Sequence, residues 1–157
     1  MFEVSVVYLL RENDGALEVL LGSKKTGLGI GKLVGPGGKL EPGESAAEAA
    51  AREVAEEIDV IVSADSLVGI AELAYEFPFR PKWSQRSYAF ICREWMGEPA
   101  ESEELAPDWY PVNAIPFDRM WDDAKLWLPD ALRGTFVRAT CSYGPDNDSV
   151  DQFTVIG

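Results

Sequence analysis

The chain contains no histidine, only two cysteines in 157 residues, and little positive charge. Its 14 Lys and Arg stand against 27 Asp and Glu, a formal net charge of −13. Each shortage excludes some chemistry. Without His, neither Ser-His-Asp nor Cys-His catalysis can arise from this chain alone. No His-containing zinc site can form, and Cys92 and Cys141, far apart, cannot supply a four-thiolate one. The charge balance argues against a grip on a nucleic-acid polymer, which needs clustered Lys and Arg. Long apolar runs are missing too: no segment approaches the ~20 residues of a membrane span. The start, Met1-Phe2-Glu3-Val4, lacks the basic residues of a secretion signal. The two Cys belong to no pair motif and are expected as free core thiols. A cytoplasmic protein fits these features. A polyanionic substrate would have to be met by a few local basic groups, by backbone N–H groups or by a bound metal ion.

What is present is ordinary for a globular chain: 46% hydrophobic and 26% charged residues. The length suggests one domain over residues 1–157. Val4 to Leu10 and Ala16 to Gly22 read as strands joined by the turn signal Asn13-Asp14-Gly15. Glycines 27, 29, 31, 35, 37, 38 and 43 with Pro36 and Pro42 then mark a loop. Ser45 and Glu48 have capping-box spacing, and Ala46 to Ile58 is composed of good helix formers. Ala47, Ala50, Ala51, Val54 and Ile58 recur at helical steps and predict its buried face. Further strands are expected at Val60 to Val62, Val68 to Phe77, Ser87 to Arg93, Trp109 to Val112, Thr135 to Ser142 and Val150 to Ile156. A second helix is expected at Asp122 to Leu132, disturbed by Pro129 in its last turn. Regular βαβ alternation is absent, so the pattern points to an α+β fold in which helices pack on a mixed sheet.

The first helix carries the chemistry. Glu53 and Glu57 stand one turn apart, with Glu56 ~60° from Glu53 and Arg52 beside them. The spacing predicts a stripe of three carboxylates opposite the apolar face. Like charges so placed cost a few tenths of a kcal/mol per pair on a bare helix. They do not alternate with Lys, as the acids of a merely solvated helix tend to do. A glycine-rich loop also runs straight into the helix, where backbone groups can approach a ligand. Hard divalent cations want carboxylate and carbonyl oxygens, and Mg²⁺ completes its shell with water and substrate phosphates.

This segment resembles the Nudix box: Gly, five residues, Glu, seven residues, Arg-Glu, an aliphatic, any residue, Glu-Glu, any residue, Gly, an aliphatic. Gly38, Glu44, Arg52, Glu53, Val54, Glu56, Glu57 and Val60 match in type and spacing. A chance match is on the order of one in 10⁵ or rarer. Asp59 stands where the family has Gly, at a position suited to a left-handed helix cap that Asp tolerates less well. The stretches 101–109, 115–121 and 127–129 are similar to the branch that hydrolyses oxidised purine nucleoside triphosphates, as are residues 21–25 and the C-terminal hairpin.

That resemblance implies an α/β/α sandwich around a mixed sheet, and a Mg²⁺-dependent (Mn²⁺ possible) pyrophosphohydrolase that turns a nucleoside triphosphate into monophosphate and pyrophosphate. Its implied metal ligands are Glu53, Glu57, the Gly37 carbonyl, Glu56 and, from a loop, Glu104. Arg52 would orient a catalytic Glu by a charge-assisted hydrogen bond, and Glu44 would brace the loop–helix junction or reach the metal through water. With no His, the general base is left open among Glu56, Glu57 and Glu104. Trp121 stands at the family's base-stacking position and Asp123 at one of two adjacent purine-reading Asp positions, the second being Ala124 here. Val34 and Gln85 replace an Asn and an apolar pocket residue, Tyr75 and Phe77 would line the pocket beside Gly38, and Lys24 would reach phosphate or sugar. Two alternatives remain: a Nudix hydrolase of another nucleoside diphosphate-linked substrate, such as ADP-ribose or a dinucleoside polyphosphate, and a nucleotide-sensing module without hydrolysis. The oligomeric state is left open, with a monomer favoured.

Overall fold

The computed structural model describes residues 1–156. The first strand, β1 (Phe2–Asn13), turns through Asp14 and Gly15, both at positive φ, into β2 (Ala16–Lys24). Such a two-residue turn suits the twist of paired strands. The glycine-rich stretch, read from sequence as loop, contains two short strands, β3 (Leu33–Val34) and β4 (Gly37–Lys39), pairing with β2 and β1. Helix α1 (Ala46–Ile58) follows, then β5 (Val68–Glu76), β6 (Gln85–Cys92), β7 (Leu105–Pro111), helix α2 (Ala124–Leu132), β8 (Val137–Tyr143) and β9 (Val150–Val155). The strand order is β3-β2-β1-β6-β5-β8-β9, with β4 added on β1 and β7 on β2. The β1/β6 and β5/β8 pairs are parallel and the others antiparallel, so the sheet is mixed, as expected.

Alternation along β1 separates the layers. Val7 and Leu9, with Leu20 of β2, pack under Ala50, Val54 and Ile58 of α1. Tyr8 and Leu10, with Val19 and Leu21, face Trp127, Leu128 and Ala131 of α2. The result is the α/β/α sandwich implied by the resemblance, and among the described residues no helix is long and apolar enough to cross a membrane.

Several expectations are corrected. Val60 to Val62 forms only an isolated bridge, Ile61 to Met96. The short strand at Trp109 begins four residues earlier, because Ala106-Pro107-Asp108 pairs with β2 despite its poor strand propensity. Helix α2 starts at Ala124 and runs through Pro129; the hydrogen bond lost there falls on the carbonyl of Lys125, an exposed residue. On α1, Ala49 is fully buried while Ala47 and Ala51 are only half-buried, and Glu57 is buried as well. The acidic stripe therefore faces protein at one edge, because the glycine-rich segment folds back along it.

Candidate active site

Ser45 begins α1 with both hydrogen bonds of a capping box, and Asp59 ends it at φ 58° in the left-handed region, its N–H donating to the Ala55 carbonyl. Between these caps the helix holds its acids at fixed angles. One carboxylate oxygen from each of Glu53, Glu57 and Glu104 lies within 4.8 Å of the other two. Glu57 is only 6% exposed and accepts a 2.6 Å hydrogen bond from the Gly37 N–H. Burial pushes its carboxyl up to about 7, opposed by that bond and reinforced by the charges of Glu53 and Glu104. Glu53 is also raised, chiefly by burial, with Arg52 pulling the other way. Two carboxylates whose ionised forms are disfavoured, with a third pressed against them, are relieved by a cation.

The donor set fits a hard divalent ion: three carboxylates beside a glycine backbone, with no His or thiol among them. The backbone at Gly38 leaves room for the Glu53 carboxylate. A Cβ there would lie 2.6 Å from the Glu53 carboxyl carbon, so only a glycine lets that carboxylate sit where it does.

Arg52 braces this arrangement. Its Nε and Nη2 donate to the two oxygens of Glu44, each at 2.8 Å, Nη1 donates to Glu53 at 2.8 Å, and Nη2 also reaches the Lys39 carbonyl at 3.0 Å. The pairing with Arg52, helped by the Glu41 N–H, holds the Glu44 carboxyl down at about 2. Glu44 thus belongs to the loop–helix junction. Glu56 lies outside the triad, its side chain 56% exposed and 3.4 Å from Arg52.

A cavity of about 190 Å³ opens beside the acids, with Gly37, Gly38 and Glu57 in its wall. All the residues that sequence placed at the substrate line it: Lys24, Val34, Gly38, Tyr75, Phe77, Gln85, Trp121 and Asp123. Trp121 is held edge-on by Phe77 and Tyr143, at 5.9 and 5.7 Å between ring centroids, and Lys32 Nζ stands 4.9 Å over its ring. Lys32 is also paired with Asp148 at 2.8 Å, which fastens the glycine-rich segment to the β8–β9 turn across the indole.

A NUDIX domain model matches residues 1–131. The chain belongs to the Nudix family. It is 42% identical over 115 residues to an oxidized purine nucleoside triphosphate hydrolase of Danio rerio, a match covering 73% of this chain and 72% of that protein. The protein of the same description from Mus musculus is 38% identical over the same shares. Among solved structures, the Mutator MutT protein of Bacillus halodurans aligns with a TM-score of 0.79 over 99% of this chain and 97% of its own, at 21% identity.

In this Nudix domain, Asp123 is set unlike a free base-reading acid. It is 3% exposed and accepts three hydrogen bonds. Tyr75 and Trp127 donate to Oδ2 at 2.6 and 2.8 Å, and the Tyr143 hydroxyl donates to Oδ1 at 2.5 Å. Burial and the Asp123 charge push the Tyr75 and Tyr143 hydroxyls well up, which keeps both as donors. Tyr75 therefore turns its polar end to Asp123 while lining the cavity. Gln85 donates to the Trp83 carbonyl at 3.1 Å.

Sequence reading missed Tyr143, Trp127, Tyr8 and Ser87, which also line the cavity. Tyr8 and Ser87 had a signal, the alternation of β1 and β6. Tyr143 had none, because its place beside Asp123 depends on β8 lying next to β5. Cys92 and Cys141 are buried, unpaired thiols, the second pushed up to about 12 by burial.

Proposed function

We propose that this Nudix hydrolase is a Mg²⁺-dependent nucleoside triphosphate pyrophosphohydrolase that takes an oxidised purine nucleotide such as 8-oxo-dGTP and releases monophosphate and pyrophosphate. The observation that carries this reading is the shared wall. Glu57 belongs both to the acid cluster and to the wall of the aromatic cavity, where Gly37 and Gly38 lie against Glu57 and Glu53, so a base in the cavity brings its phosphate chain to the metal ligands. Relatives described as oxidized purine nucleoside triphosphate hydrolases support the substrate class.

Glu53, Glu57 and Glu104, with the Gly37 carbonyl, would hold Mg²⁺ (Mn²⁺ in its place), which when bound supplies charge neutralisation on the polyphosphate and an activated water. The chain does the positioning. Arg52 fixes Glu53 against rotation, and the Gly37 N–H fixes Glu57. Lys24, in the cavity wall, meets phosphate or sugar. Trp121 offers an aromatic face, worth ~1–3 kcal/mol per stacked base, and Asp123, whose Oδ1 accepts from Tyr143 alone, offers its remaining lone pair to an N–H of the base. The proton of the attacking water goes to one of Glu56, Glu57 and Glu104. The chain works as one domain, since β8 and β9, beyond the matched residues, complete the same sheet. Both cysteines being unpaired suits a cytoplasmic setting.

The test is pyrophosphate release with Mg²⁺ from dGTP, 8-oxo-dGTP, 2-hydroxy-dATP and dCTP. Preference for an oxidised purine supports the reading. Turnover of ADP-ribose or a dinucleoside polyphosphate, with none of any triphosphate, overturns it. Glu57→Gln is expected to lower turnover by at least ~100-fold while the circular dichroism spectrum stays unchanged.

A further inference from the structure

Glu104 is the least anchored of the three clustered acids. Glu53 and Glu57 ride on α1 and are held by Arg52 and the Gly37 N–H. Glu104 is exposed, sits on the turn leading into β7, and follows Glu101 and Glu103. Three carboxylates within 4.8 Å repel one another, and the one on the loop is the one free to leave.

What opposes that departure lies outside the cluster. Lys25, directly after β2, makes three hydrogen bonds to the turn 101–104. Its ammonium donates to the Glu101 carboxylate and, at 2.8 Å, to the Ser102 carbonyl. Its backbone N–H donates to the Glu104 carbonyl at 2.9 Å. The turn is also closed on itself: Ser102 Oγ accepts from the N–H groups of Glu104 and Leu105, at 3.2 and 3.3 Å. On the far side Leu105 is fully buried against Gly22, where a Cβ would lie 2.3 Å from its Cγ. Lys24 lines the cavity, while its neighbour Lys25 bonds the acidic turn.

We propose that Lys25 is a positioning residue for metal binding, clamping the 101–104 turn to the end of β2 so that the Glu104 carboxylate stays within reach of Glu53 and Glu57. The proposal rests on the reading of Glu104 as a metal ligand. An exposed ion pair alone contributes little; here the ammonium makes two bonds to a turn that the Lys25 backbone N–H also holds. Losing a group that holds a metal ligand from behind changes metal affinity by ~10–100-fold, and an exposed Lys belongs at the lower end.

The experiment measures Mn²⁺ binding to the full chain by electron paramagnetic resonance of the free ion. It compares the wild type, Lys25→Met, Lys25→Arg, Glu104→Gln and the Lys25→Met/Glu104→Gln double variant, with the metal-free melting temperature of each. Lys25→Met is expected to raise the Mn²⁺ dissociation constant about 10-fold, with its melting temperature nearly unchanged and kcat at saturating metal retained. Lys25→Arg should restore most of the affinity, and in the Glu104→Gln background Lys25→Met should add nothing. Wild-type affinity in Lys25→Met overturns the proposal. So does an equal loss with and without the Glu104 carboxylate, which would mark a general effect of charge or folding. Wild-type affinity in Glu104→Gln overturns the assignment of Glu104 and the role of Lys25 with it.

Discussion

Gly37 and Gly38 are neighbours of one type, yet the same substitution has opposite expected effects. A Cβ on Gly37 would meet the Ser5 carbonyl oxygen at 2.0 Å, backbone against backbone in the β1–β4 pair. Gly37→Ala is expected to cost about 3 kcal/mol, a drop of ~6–12 °C in melting temperature for a chain of this size. The three atoms nearest a Cβ on Gly38 are all at the carboxyl end of Glu53, a side chain that can swing aside by giving up its Arg52 bond. Gly38→Ala should melt within ~2 °C of wild type while its requirement for divalent metal rises severalfold, a contrast read by calorimetry and by activity titrated with Mg²⁺. Glu44 provides a pH signature. Its carboxyl is lowered from 4.5 to about 2 by Arg52, so the folded state binds its proton more weakly than the unfolded chain does. The stability this gives is complete above about 4.5 and is lost as pH falls toward about 2. The difference in urea midpoint between wild type and Glu44→Gln should be constant from pH 7 to 5 and narrow from there to pH 3. Glu53 and Glu57 were legible in the sequence because helical spacing alone aligns them. The burial of Glu57 was not, since it depends on where the glycine-rich segment lies.

Helix α1 could be drawn to its end residues from sequence because its signals are local: the Ser45–Glu48 box, a run of helix formers, and a cap at Asp59. Asp59 sits at φ 58°, a conformation glycine adopts without the Cβ strain. Asp59→Gly is expected to raise the melting temperature by ~1–3 °C with turnover unchanged; a loss of activity would place Asp59 in the site. Strands β3, β4 and β7 were harder to read for the converse reason. Gly37-Gly38-Lys39 and Ala106-Pro107-Asp108 have no strand propensity of their own and are ordered by partners already in the sheet. Helix α2 continues through Pro129 because Trp127, Leu128 and Ala131 are packed on the sheet, a tertiary term that propensity does not contain.

For the molecule as a whole, a small part of the charge of −13 is gathered where three acids meet. An ion that binds only the folded state stabilises it by ~2.7 kcal/mol at 100 times its dissociation constant, or ~5–10 °C here. Mg²⁺ or Mn²⁺ is therefore expected to raise the melting temperature of the wild type by that amount and to leave Glu57→Gln nearly unmoved. Na⁺ at matched ionic strength, which screens the remaining acids without occupying the cluster, should give a much smaller rise in both. The fold class and the alignment of Glu53 with Glu57 followed from patterns within single elements, whereas Glu104, on a separate turn, came only from the family resemblance. The cavity came less completely, because its walls are drawn from β1 to β6, α1, α2 and β8, and no local pattern records which of their faces meet.

The parallel pairing of β1 with β6 has a consequence for the newborn chain. Leu9 pairs with Cys92, so the middle of the sheet cannot close until some 80 residues beyond Asn13 (92 − 13 = 79) have been synthesised. At ~5–20 residues per second this takes on the order of 5–15 s. During that interval α1 can already cover Val7 and Leu9, but the edge of β1 that will receive β6 stays bare, open to pairing with any other extended segment nearby. A strand that is paired along both edges in the finished protein is thus one in need of protection while the protein is being made.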